Sequence, residues 1–313
     1  MAQTKTLKKK RANNFVPSSL IAAFVLPSVI CLLIMYLYPV CRTVLMSFFE
    51  TGSVTAPMSD WSFAGLGKYF DIFGAPAFRL GMTHMIQIWF FGGILTLAIA
   101  LLFAVILTSG IKGKKFFRAA IYLPNVISAV ALATMWIQFV FQQDYGLLNS
   151  FLRWITGNSA AGTNWMSTGM KFWSMLFAFI FGAVGYYMLI FMSGIEKIPQ
   201  DIYEAATIDG ASKVQQAFKI TFPLLKGVTK TNLTFWTVNT ATFYLWSKMF
   251  SPIDSEAATM VPVIYLYDIV FGSKGNAARD AGAGAAVGVV LALIILAVYF
   301  IMNKLIKDDD LEY

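Results

Sequence analysis

The sequence predicts an all-α membrane protein: six transmembrane helices, both termini cytoplasmic, and a cytoplasmic helix–turn–helix between the fourth and fifth spans. Three observations support that class. Only 13% of the 313 residues are charged, about half the ~25% of an ordinary soluble domain. Several stretches approach the ~20 consecutive apolar residues that cross a bilayer. Lysines and arginines gather in the short segments between those stretches, where they act as topology signals. A soluble helical protein with a large core does not call for apolar runs so long and so free of charge.

Residues 1–17 form a basic tail with Lys5, Lys8, Lys9, Lys10 and Arg11. The apolar run behind it has no small-residue cleavage site and reads as a signal anchor. The six-span domain covers 18–306, and an acidic tail, 307–313, follows. Span one, about 18–48, is long enough to bend at Pro27 or Pro39; span two covers about 84–109. Span three, about 116–142, contains Pro124, which removes a backbone donor and can kink it. Spans four, five and six follow at about 170–195, 227–250 and 282–306. In the last, Gly284 and Gly288 form a G-x-x-x-G suited to close helix packing.

Basic residues set the orientation. Sixteen of the 24 lie in the N-terminal tail, the 2–3 loop, the 4–5 loop and the C-terminal tail. The positive-inside rule places those segments in the cytoplasm. The opposite loops differ in character. Residues 49–83 hold Trp61, Phe63, Tyr69 and Phe70, which suit a short interfacial helix. Neither 143–169 nor 251–281 is large enough for a separate domain.

Several function classes drop out. The net charge of +8 is spread over inter-span loops without a basic, aromatic-interleaved surface, so the expected partner is the lipid bilayer and not nucleic acid. Cys31 and Cys41 sit ten residues, roughly 15 Å, apart on one helix, too far for a disulfide. A lone histidine, His84, offers no metal cluster. Gly110-Ile111-Lys112-Gly113-Lys114 lacks the spacing and the Ser/Thr of a phosphate-binding loop, so this chain is expected to bind no nucleotide and to be no enzyme. No ionisable group lies near the middle of a span, which disfavours a self-contained secondary transporter.

The 4–5 loop, about 197–226, is a polar, helix-forming island. Pro199 opens a helix near Gln200–Asp209 and Gly210 stops it. Ser212 and Gln215 then form an S-x-x-Q capping box for a second helix, which runs to Pro223. Ala205 and Ala206 let a partner approach the backbone, with Glu204 and Asp209 alongside. Glu204-Ala205-Ala206, three residues, Gly210, nine residues and Ile220-Thr221-Phe222-Pro223 resemble the E-A-A motif of ABC importer permeases, with Phe222 where leucine is usual. Tyr38-Pro39-Val40, Phe63-Ala64-Gly65-Leu66, Tyr122-Leu123-Pro124 and Tyr145-Gly146-Leu147-Leu148-Asn149 resemble the maltose and multiple-sugar branch. The loop after Lys248 departs from that branch, with Ser251-Pro252-Ile253-Asp254 in place of a Gly-rich turn.

The resemblance implies two separate ATPase subunits that use ATP with magnesium and grip Glu204, Ala205, Ala206, Asp209 and Gly210. It further implies a second permease subunit, a paralogue by the branch it resembles, and an extracytoplasmic solute-binding protein. The implied cargo is a carbohydrate, an oligosaccharide in particular, moved by alternating access. A permease for glycerol phosphate is the nearer alternative. For the pathway, the span interiors offer hydroxyls, an amide and aromatic faces in Tyr187, Asn239, Thr242, Tyr244 and Trp246. Those same residue types also glue membrane helices together or sit at the interface.

Overall fold

The computed structural model describes residues 18–273 and 278–306; the expected basic and acidic tails lie outside them. The chain divides into residues 1–45 and residues 46–313. The first unit is built on helix α1, which runs Ser18–Leu32, widens into a π turn at Leu33–Leu37 and continues as Tyr38–Met46. The expected bend at Pro39 takes this form. A proline ring clashes with the carbonyl four residues back; for Pro39 that is Met35, inside the widened turn. The helix is apolar on every side, with Phe24 and Met35 more than three-quarters exposed, as suits a helix solvated by lipid.

The second unit opens with a two-stranded ribbon, β1 (Phe49–Glu50) and β2 (Ser62–Phe63), antiparallel with Phe49 opposite Phe63. Helix α2 (Gly67–Gly74) follows where an interfacial helix is expected. Helix α3 runs Pro76–Thr108, eight residues earlier than span two was expected to start, because Pro76 supplies a ready first turn. Next come α4 (Lys114–Val126), α5 (Ala129–Val140), α6 (Leu147–Thr156) and α7 (Lys171–Ile195). Helices α8 (Gln200–Ile208) and α9 (Lys213–Gln216, extended by a π turn through Thr221 and by Phe222–Leu224) lead to α10 (Lys226–Ala241). Helices α11 (Leu245–Phe250), α12 (Pro262–Phe271) and α13 (Ala281–Leu305) complete the unit.

Among the described residues four helices are long and apolar enough to cross a membrane: Leu20–Met46, Pro76–Thr108, Lys171–Ile195 and Ala281–Leu305. The pair α4 and α5 makes a fifth only if its 99° bend is counted as one broken span. The kink expected at Pro124 falls three residues later. The helix survives the missing donor but stops at Val126, Ile127 turns extended, and the Ser128 hydroxyl accepts from the Ala131 amide to start α5. The stretch expected as span five is likewise two helices. α10 has 16 residues, about 24 Å against a hydrocarbon core of ~30 Å. It carries Lys226 and Lys230 with a run of Thr and Asn, and breaks at Thr242–Tyr244. Irregular backbone at membrane depth is tolerated where protein buries it or a cavity adjoins it.

Helix α7 is the centre of the core, packed against α3, α4 and α10. Its small residues permit this: a Cβ on Gly185 would lie 2.4 Å from the Ile121 carbonyl oxygen of α4. Gly284 of α13 does the same for α12, where a Cβ would lie 2.1 Å from a Val270 methyl. The G-x-x-x-G thus acts in close packing. His84 is also structural, with Nδ1 2.8 Å from the Met260 carbonyl and its ring stacked on Phe172.

At the N-terminus of α13, Lys68 of α2 is buried between Asp280 and Glu50. Burial alone would lower the pKa of its ammonium group, but the two carboxylates outweigh that and raise it above 10.5.

Candidate functional site: a docking loop and a broken polar helix

Helix α8 starts after Pro199 and carries Asp201 in its first turn, where a carboxylate favours the positive end of the helix dipole. It ends in a Schellman motif. The Gly210 amide donates to the Thr207 carbonyl and the Ala211 amide to the Ala206 carbonyl, at 3.1 and 2.9 Å. That closure needs φ of +78° at Gly210, a left-handed conformation that a side chain resists. Two residues on, the capping box forms as expected. The Ser212 amide donates to Gln215 Oε1 at 2.8 Å and the Gln215 amide to Ser212 Oγ at 3.3 Å. The π turn Ala217–Thr221 holds Lys219, whose carbonyl Pro223 would otherwise strike, so α9 passes through the proline to Leu224.

One residue that sequence reasoning missed ties the two helices together. The Gln216 side chain is buried; Nε2 donates to Thr207 Oγ1 at 2.9 Å and to the Ala211 carbonyl at 3.2 Å. Lys213 Nζ donates to its Oε1 at 3.3 Å. Tyr203 and Thr221 share a second inter-helix hydrogen bond of 2.9 Å. The two helices of the loop are therefore braced against each other. Glu204, Ala205, Asp209 and Gly210 are exposed and Ala206 is half-buried. Beside them Ile208 is 87% exposed and Phe218 is 67% exposed, and Phe218 stacks parallel to Phe222 at 5.8 Å. Apolar groups so uncovered beside two carboxylates suit a protein partner.

The five expected pathway residues separate into two groups. Tyr187 and Trp246 are buried, with rings packed against Trp236 and Phe179 respectively. Asn239 and Thr242 are exposed and Tyr244 is half-buried. One bond links the groups: Asn239 Nδ2 donates to the Tyr187 hydroxyl at 3.3 Å. Thr242 donates to the Val238 carbonyl at 2.8 Å. Two tryptophans outside the expected set seat α10 on α3. Trp236 Nε1 donates to the Trp89 carbonyl, and Trp89 Nε1 to Thr237 Oγ1, both at 2.9 Å. The adjacent Gly92-Gly93 pair was the available signal, since a Cβ on Gly93 would lie 2.6 Å from Trp236 Nε1.

A multi-helix membrane protein with a braced, exposed loop between its apolar helices has the form of a membrane transport component. The model of the family described as binding-protein-dependent transport system inner membrane component matches residues 96–308, and the chain belongs to that family. It is thus a multi-pass inner-membrane transport component and not an enzyme. It is 29% identical over 306 residues to the arabinooligosaccharides transport system permease protein AraP of Halalkalibacterium halodurans, covering 95% of this chain and 92% of that one. It is 24% identical over 290 residues to the sn-glycerol-3-phosphate transport system permease protein UgpA of Escherichia coli, covering 91% and 92%. Its fold is similar to a crystal structure of a bacterial ABC transporter involved in the import of the acidic polysaccharide alginate. There the TM-score is 0.77, the identity 18%, and the cover 94% of this chain and 96% of that one.

Proposed function

We propose that this chain is one membrane subunit of an ATP-driven importer that moves an oligosaccharide into the cytoplasm by alternating access. The observation that carries the reading is the surface of exposed Glu204, Ala205, Asp209 and Gly210 with half-buried Ala206, on a loop braced by Gln216. Two ATPase subunits would grip it and hydrolyse ATP with magnesium, this chain binding neither. Six spans, counting α4–α5 and α10–α11 as one broken span each, give a chain with both termini in the cytoplasm. Six helices are few to enclose a pathway, so a second permease subunit, a paralogue, completes it. A solute-binding protein outside the membrane delivers the cargo.

The sugar assignment is supported by the arabinooligosaccharide permease relative and by the break in α10–α11, which offers the Asn239 amide, the Thr242 hydroxyl and the Tyr244 ring together. Tyr187 and Trp246 shape that surface from behind. The relative named for glycerol 3-phosphate keeps a second reading open. A phosphate cargo calls for cations along the path, and the cations of α10, Lys226 and Lys230, lie in its first turn and a half beside the docking loop.

The test is a tagged purification of the chain from gently solubilised membranes, with mass spectrometry of what accompanies it. The reading predicts an ATPase, a second permease and a solute-binding protein. Recovery of the folded chain alone, in more than one detergent, would contradict it and favour a self-contained carrier.

A further inference from the structure

At the end of α10 far from the docking loop, the chain forms a second polar cleft, of about 450 Å³, within the ~300–1,000 Å³ of small-ligand sites. Two aromatic rings stand on its wall. Tyr267 and Phe271 lie one turn apart on α12 with ring centroids 4.9 Å apart. Both are uncovered, Tyr267 by 39% and Phe271 by 53%. Tyr244, from the break between α10 and α11, stands 5.5 Å from Tyr267. The three rings form a staircase, each tilted by 44° or 43° to the next, that leads from the cleft to the broken helix. Four charged groups share the wall: Lys248, Arg279, Asp254 and Asp268.

Tyrosine at a membrane interface is ordinary, and that explains one such ring. It does not explain two rings in contact on a concave wall with four charged groups, and a third ring, Tyr244, set against Tyr267. The combination matches a pyranose or furanose unit. Its C–H face packs on the electron-rich face of an aromatic ring, and its hydroxyls, both donors and acceptors, pair with ammonium, guanidinium and carboxylate groups at the rim. Among the described residues two cations offset two carboxylates, so this lining carries no net charge to recruit a phosphate or a uronate.

We propose that this cleft is an entry subsite for a neutral oligosaccharide, which stacks on Tyr267 and Phe271 and passes to Tyr244. The proposal rests on the carbohydrate reading above and names where the cargo first meets the permease. An elongated ligand is held by the cleft while its leading unit reaches the broken helix. Two ring-to-ring steps, 4.9 and 5.5 Å, separate Phe271 from Tyr244, so a chain of several units engages more of the staircase than one sugar does, and the cleft's contribution grows with chain length.

The test is uptake by the complete transporter in cells, with a length series of arabinan-derived and starch-derived oligosaccharides as probes. Tyr267→Ala and Phe271→Ala are expected to raise KM for the longer members by about tenfold while the shortest member changes less than twofold, the cost of one lost ring contact. Tyr267→Phe keeps the ring and is expected to stay near wild type. Co-purification with the partner subunits reports whether each variant has folded and assembled. Unchanged KM at every length in assembled variants overturns the proposal. An equal loss at every length, relieved by excess solute-binding protein, also overturns it and makes the cleft a docking surface for that protein. Failure of the wild type to import any of these sugars overturns the carbohydrate reading itself, a result distinct from the other two.

Discussion

Lys68 Nζ lies 2.8 Å from Asp280 Oδ2, so a side chain from a short loop helix closes on the residue just before the last span, 212 positions along the chain. Asp280 has a second task there, because its Oδ1 accepts from the Ala283 amide at 2.9 Å and caps α13. Glu50 of the ribbon approaches the same ammonium at 3.3 Å. Ribbon, loop helix and last span are thus held at one point. Asp280→Ala removes a helix cap, worth ~1 kcal/mol, and a hydrogen bond to a charged group, worth ~1.5–3 kcal/mol. Asp280 is about a third exposed, which screens the pair and favours the lower end, so we expect a loss of about 2 kcal/mol. Thermal unfolding of the purified protein in detergent measures it.

The same cluster fixes a pH dependence. The Lys68 pKa is raised above 10.5 on folding, so its contribution is fully present below 10.5 and is lost as the pH rises through the folded value. Stability from this pair is therefore flat through neutral pH and falls only in strong alkali. A melting series above pH 9 should show that fall in the wild type. Lys68→Met should be less stable at neutral pH and lack this component of the alkaline loss.

In the docking loop, Gly210→Val places a branched side chain in a left-handed conformation at a cost of about 1–2 kcal/mol. No other atom lies within 4 Å of the new Cβ, so the damage stays local. We expect normal membrane abundance with uptake reduced several-fold. Glu204→Lys reverses an exposed charge, at the loss of one surface hydrogen bond from Gln200, and is expected to abolish uptake. Immunoblots of membranes alongside transport assays separate the two effects.

On the proposed pathway, Asn239→Leu removes an exposed amide and is expected to raise KM for the transported sugar by about tenfold, as loss of a ~1.4 kcal/mol contact does. Tyr187→Phe deletes only the hydroxyl behind it. Its KM should change less than about threefold, since Asn239 keeps access to other partners. Initial uptake rates against sugar concentration measure both.

Much of this was legible in the sequence because it rests on local rules. Gly210 as a helix stop and Ser212 with Gln215 as a capping box need only their neighbours, and both are present as expected. Spans one, four and six follow from runs of apolar residues and match within two residues at each end. The rest depends on contacts between distant segments. Pro124 signalled a kink but not its place, because the corner forms where Ser128 can cap the next helix. Hydropathy over 227–250 averaged the polar α10 with the apolar α11 and hid the break at Thr242–Tyr244. Gln216 gave no local sign of its role, since its partners Thr207 and Ala211 become its neighbours only after the loop folds back. Tyr187 and Trp246 look like sugar platforms by residue type, yet their rings pack against Trp236 and Phe179.

In the proposed cycle an ATPase subunit seats on Ala205 and its neighbours and drives transport from there. Site-directed cross-linking tests it most directly. Both native cysteines are free and exposed, so Cys31→Ser and Cys41→Ser provide a background in which Ala205→Cys is the only thiol. A maleimide carrying a benzophenone, attached to Ala205→Cys and irradiated, is expected to cross-link to the co-purified ATPase subunit, with a yield that changes when ATP is added. A transport-competent Ala205→Cys complex that gives no such product, with or without ATP, would contradict it.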